Sequence, residues 1–87
     1  MEISIASLRD KVTELSVSAE RLSSEVACAS QDIKAQANHL AGLTRGSRSG
    51  EEATSLMRES AKSLADVASA ISLVMSYCDD YLRNVEK

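Results

Sequence analysis

The chain has 87 residues and carries ten Lys and Arg against thirteen Asp and Glu, a net charge of −3. That length admits one domain at most. No basic cluster, the loop pair Arg45 and Arg48 included, is long enough to track a phosphate backbone, and no apolar run approaches 18 residues, so nucleic-acid binding and membrane insertion are both disfavoured.

The first predicted element is a helix over about residues 4–43. Its apolar seam is Ile5, Leu8, Val12, Leu15, Ala19, Leu22, Val26, Ala29, Ile33, Gln36, Leu40 and Leu43, spaced alternately by three and four residues. Such a stripe lines one side of a helix and requires a partner surface. Ser4 or Ser7 caps its start, and Ser7-Leu8-Arg9-Asp10 resembles a capping box with Asp in place of Glu. Gly42 or Gly46 ends it, because glycine tolerates the left-handed conformation that closes helices.

Residues 44–50, Thr44-Arg45-Gly46-Ser47-Arg48-Ser49-Gly50, form the break. All three glycines lie in it or beside it, and proline is absent, so both arms lack helix breakers.

The second helix is expected over about residues 50–85. Ser49-Gly50-Glu51-Glu52 reads as its capping box, with two carboxylates near the positive end of the helix dipole. Its seam is Ala53, Met57, Ser60, Leu64, Val67, Ile71, Val74, Cys78, Tyr81 and Val85. Asp79 and Arg83 stand at the spacing of an acid-before-base pair. Gln36 and Ser60 are the one polar interruption in each seam.

Two such arms around a glycine-rich break define an all-α protein, an antiparallel two-helix hairpin spanning residues 1–87. Its core is thin: Ala and Ser dominate, Phe and Trp are missing, and the only aromatics are Tyr77 and Tyr81. A buried Leu or Ile contributes about 1.5–3 kcal/mol and an Ala much less, whereas ordering the chain costs about 1.5 kcal/mol per residue. The hairpin is therefore expected to assemble into a four-helix bundle with a second hairpin, its own copy or another protein.

The arms differ beside the seam. The second helix has another apolar row, Ala61, Ala68, Met75 and Leu82, whereas the equivalent row of the first is Arg9, Ser16, Ser23, Ser30 and Ala37. Either the twist of the hairpin covers this row, or it meets a second protein; the second alternative makes Ala61, Ala68, Met75 and Leu82 the expected partner-binding residues.

No constellation for catalysis is visible. His39 is the only histidine, and nothing in the pattern sets it against one of the fifteen serines or an orienting acid. Cys28 and Cys78 sit on opposite arms, about 12 residues apart along the hairpin axis or roughly 18 Å, too far for a disulfide and too few for zinc. Cys78 is on the seam and Cys28 off it. Asp79 and Asp80 are adjacent and point to different faces of a helix. No glycine-rich phosphate loop follows a strand. A non-enzymatic protein needing no cofactor and no metal is expected. Met1 opens the chain without a basic-then-apolar leader, which predicts a cytoplasmic protein or one exported folded by a dedicated machine.

The segment Met75 to Lys87 holds both tyrosines and an acidic pair. Tyr77 and Tyr81 share a helix face, where an apolar body with a polar tip suits recognition. The alternative is that Tyr81 plugs the open end of the hairpin while Tyr77 rests on the first helix near Leu15.

A hairpin of this length, with a mid-chain break and a distinctive C-terminal segment, resembles the small WXG-type proteins of the type VII secretion system. It looks closest to the WXG-like targeting factors that accompany LXG toxins. The family's Trp-x-Gly turn corresponds here to Arg48-Ser49-Gly50, with the glycine kept and the tryptophan absent, as is often so in the LXG-associated subgroup. The family's export signal, an aromatic followed four residues later by an acid, has only degenerate counterparts. Tyr77 is followed at that spacing by Tyr81 and Tyr81 by Val85; Asp80 and Glu86 each miss by one position, and Met75 with Asp79 keeps the spacing without the aromatic. The resemblance implies a chaperone-like partner that binds the N-terminal helices of an effector and presents a composite signal. Tyr77, Asp79, Asp80 and Tyr81 are then the candidate export residues. A self-associating coiled-coil adaptor, including a homodimer, is the competing expectation.

Overall fold

The computed structural model describes residues 4–85, the side chain of Val85 excepted. Two helices, α1 (Ile5–Leu43) and α2 (Arg48–Val85), fold back on each other as a rod of 63 × 19 × 19 Å. The expected hairpin is present, and the described residues contain no strand.

Local chemistry sets the ends. Ser4, in extended conformation, accepts the Ser7 N–H on its hydroxyl at 3.0 Å and is the N-cap of α1. At the other end Thr44 donates both its N–H (2.9 Å) and its hydroxyl (2.8 Å) to the Leu40 carbonyl, and Gly46 follows with φ 85°. Gly46, rather than Gly42, therefore supplies the left-handed residue that turns the chain. The turn is shorter than the sequence suggests. Ser47 accepts the Gly50 N–H on its hydroxyl at 3.2 Å, and its carbonyl accepts from the Glu51 N–H at 2.9 Å, so α2 starts two residues before the expected position, capped by Ser47 and not Ser49. Arg48 then pairs with Glu52 at 3.2 Å across one exposed turn. Near the C-terminus Arg83 pairs with Asp80, three residues back, and not with Asp79.

The side chains turned inward differ from half of the expected seam. Val12, Ala19, Val26, Ile33 and Leu40 do face α2. The row that alternates with them is Ser16, Ser23, Ser30, Ala37 and Thr44, and Leu8, Leu15, Leu22 and Leu43 lie exposed. On α2 the inward rows are Met57, Leu64, Ile71 and Cys78 together with Thr54, Ala61, Ala68, Met75 and Leu82, while Ser60, Val67, Val74 and Tyr81 are exposed. The expected partner-binding row is thus the hairpin's own contact surface. Ala61 and Ala68 are only 5% and 8% exposed, and Met75 and Leu82 are half-buried.

Close approach of the two helices is the physical reason. The Ser30 hydroxyl donates directly to the Ala61 carbonyl at 2.6 Å, and the Ser23 hydroxyl to the Ala68 carbonyl at 3.0 Å. A side chain as short as serine reaches the opposite backbone only where the helices nearly touch, and Leu in place of Ser16, Ser23 or Ser30 would hold them apart. At the turn a Cβ on Gly50 would stand 2.2 Å from the Cβ of Thr44, so only glycine fits there. The packing alternates small and large: running the register from Thr44 and Gly50 along the rod sets Ala37 level with Met57, Ile33 with Ala61, Val26 with Ala68, Ala19 with Met75 and Ser16 with Cys78.

Candidate functional site

Antiparallel helices joined in this register have two long sides. On one, Lys34, Arg58 and Lys62 surround an open groove of about 360 Å³ floored by Ser30, Ala61 and Ala65. Arg58 donates to the Asn38 side-chain oxygen at 3.2 Å along the same side. This side is polar and holds three of the ten basic residues of the chain.

The opposite side is apolar. It carries the rows left out of the seam, Leu8, Leu15, Leu22, Ala29, Gln36 and Leu43 of α1 and Ala53, Ser60, Val67, Val74 and Tyr81 of α2. Each row lies one residue ahead of the small row in its own helix, and in an antiparallel pair such positions flank the same edge of the seam. The nearest pairs across that edge are Leu15 and Tyr81, Leu22 and Val74, Ala29 and Val67, Gln36 and Ser60, and Leu43 and Ala53, each offset by about 3 Å in height. The outermost apolar residues of α2, Leu56 and Tyr77, adjoin this side one row further around the helix.

The exposure is large for residues of this kind: Leu15 62%, Leu22 49%, Val74 52% and Tyr77 66%. Isolated exposed leucines need no explanation, whereas these stand in rows along one side of the rod, broken only at Gln36 and Ser60. The mirror image of these rows is the poverty of the interior. The buried apolar side chains are Ala37, Ala61 and Ala68, and no large side chain is fully buried among the described residues. Leu8, Leu15, Leu22, Leu43 and Val74 are held at the surface, while Ile33, Leu40, Leu64 and Ile71 are half-buried along the seam.

The candidate export residues are not brought together. Tyr77 and Tyr81 stand on the apolar side. Asp79 lies on the polar side of α2, and Asp80 points away from α1 and pairs with Arg83. Tyr81, 37% exposed, flanks the seam near Leu15, and Tyr77 projects outward beside it, so the tyrosines belong with the leucines and not with the acids. The pairings that involve Val85 and Glu86 fall outside the described side chains. His39 and Cys28 are exposed, Cys78 is half-buried in the seam, and both cysteines are free thiols. Among the described residues no cluster of three His, Cys, Asp or Glu could hold a metal ion, and no helix is long and apolar enough to cross a membrane.

What the sequence reading missed is that leucine was the wrong marker of the inside. The signal was present in the strict seven-residue recurrence of Ser16, Ser23, Ser30 and Ala37, which is a row of small residues. No protein-family model matches the chain, and no curated protein or solved structure matches it.

Proposed function

We propose that this chain is a non-enzymatic docking partner of the type VII secretion kind, a small helical hairpin that packs against the N-terminal helices of a larger effector and contributes to its targeting for export. The observation that carries this reading is the apolar strip of Leu8, Leu15, Leu22, Val67, Val74 and Tyr81, held outward along the rod while Ser and Ala occupy the most buried levels of the seam. A second pair of helices laid on that strip completes a four-helix bundle and supplies the large buried side chains that the hairpin lacks. Gly50, the glycine matched in the resemblance to the WXG-type turn, is also the residue whose missing side chain lets the arms close at Thr44. In this reading Tyr77 and Tyr81, exposed at the open end of the strip, would touch both the partner and a secretion component.

Co-expression with the neighbouring open reading frames, followed by a pull-down, tests the reading. A helical partner should be captured by the natural chain and lost with Leu15→Glu/Leu22→Glu, two exposed positions whose change spares the seam. Retention of the partner by that double variant would remove the strip from the proposal. The export role is tested separately: Asp79→Ala with Asp80→Ala, both off the strip, should stop secretion of the partner while the complex still forms, and unchanged secretion would exclude it.

A further inference from the structure

We infer that the basic groove on the polar side is a second docking surface, and that its occupant is an acidic helix of another protein, one with a small-residue face flanked by carboxylates. The groove lies opposite the apolar strip, and the inference does not rest on what the strip binds.

The cations are concentrated and uncompensated. The chain as a whole carries a net charge of −3, yet Lys34, Arg58 and Lys62 surround a single opening of about 360 Å³. In the register set by Thr44 and Gly50, Lys34 falls between Arg58 and Lys62 in height and faces both across the groove. Among the described residues no carboxylate pairs with any of the three. Arg58 spends one donor on the side-chain oxygen of Asn38, a neutral group. Glu59 and Asp66, within about one turn of Lys62, stand on the row of α2 turned away from α1. Three positive charges around an open groove attract a negative surface of matching shape.

The floor selects the occupant. Ser30 and Ala61 are buried at its base, and the Ser30 hydroxyl is spent on the Ala61 carbonyl, so no buried donor is left to hold a small free anion. No aromatic side chain stands on this side to stack a base, and three cations are too few to track a nucleic-acid backbone. A helix laid in the groove meets the small side chains of Ala61 and Ala65 and approaches closely if its own facing residues are small. Carboxylates at i and i+4 of that helix reach Arg58 and Lys62 from one flank, and one at i+1, about 100° round, reaches Lys34 from the other. Toward the open end of the rod the same side carries Glu20 and Asp79, which repel further carboxylates and confine the acidic cluster to the half nearer the turn.

The probe is an alanine-based helical peptide with glutamate at i, i+1 and i+4, titrated at low salt into the isotope-labelled full chain. Amide shifts in its NMR spectrum should change around Ser30, Lys34, Arg58 and Lys62 and stay unchanged along the strip. The same peptide with glutamine for glutamate should bind about tenfold more weakly. Lys34→Glu/Lys62→Glu, at two exposed positions, should lose the glutamate peptide and bind its lysine counterpart, with helical circular dichroism unchanged. Leu15→Glu/Leu22→Glu should bind the glutamate peptide as the natural chain does, so that failure of the groove and failure of the strip are read separately. Equal binding of the glutamine peptide would overturn the charge recognition. The same shifts produced by inorganic phosphate or by a single-stranded oligonucleotide at equal concentration would overturn the assignment to an acidic helix. No shifts with the glutamate peptide would overturn the groove as a docking surface and leave the proposed function standing.

Discussion

The Ser30 hydroxyl reaches across the hairpin and donates to the Ala61 carbonyl at 2.6 Å, both residues buried. The contact joins side chain to backbone and leaves no space for a larger group at either position. Ser30→Ala removes one hydrogen bond while the carbonyl keeps its helical donor, so a loss of about 0.5–1.5 kcal/mol is expected. Ser30→Leu adds volume where the helices touch and should cost about 1–3 kcal/mol or more, in spite of its higher apolarity. Urea titrations followed by circular dichroism at one protein concentration would rank the two; a Leu variant as stable as the natural chain would contradict the close packing.

Thr54 is 3% exposed, and its hydroxyl has no hydrogen-bond partner. A buried donor left unsatisfied costs about 1–3 kcal/mol relative to one that is paired. Thr54→Val keeps the branched shape and deletes the hydroxyl, so it should stabilise the fold by about 1 kcal/mol. A shift of the urea midpoint to higher concentration with an unchanged slope is the expected signature. A lower midpoint would mean that the hydroxyl is satisfied in solution.

The glycines separate by position. Nothing lies within 4 Å of a Cβ built on Gly42, which sits in the exposed last turns of α1. Gly42→Ala should therefore stabilise by about 0.5–1 kcal/mol through helix propensity. Gly50→Ala should destabilise strongly, since its Cβ would fall on Thr44, and Gly46→Ala should cost about 1 kcal/mol or more because φ is 85°. Thermal melts of the three variants should diverge in sign; equal melting temperatures would contradict the geometry of the turn.

Variants on the apolar strip and in the seam should part company in the same way. Leu22→Ser changes a half-exposed side chain that α2 does not enclose, so the fold of the single hairpin should change little while association weakens. Ala61→Leu should do the reverse and weaken the hairpin by overpacking. Thermal melts and the partner pull-down distinguish the two: Leu22→Ser should melt as the natural chain does and capture less partner, and Ala61→Leu should melt lower. Undiminished capture by Leu22→Ser would place the interface elsewhere.

Two helices, their lengths to within two residues and the position of the break follow from the chain itself, because proline is absent, glycine is confined to positions 42, 46 and 50, and the apolar pattern repeats on a heptad. Those are local preferences, fixed before any tertiary contact forms. Which rows turn inward is a different matter. Each helix carries three adjacent rows that could serve in a seam, and judged by apolarity alone Leu15 and Leu22 outrank Ser16 and Ser23. Only the folded hairpin decides against the leucines, since helices near enough for Ser23 and Ser30 to bond the opposite backbone admit nothing larger at those positions. The tight seam therefore keeps Ile33, Leu40, Leu64 and Ile71 beside it and leaves Leu8, Leu15 and Leu22 on the surface.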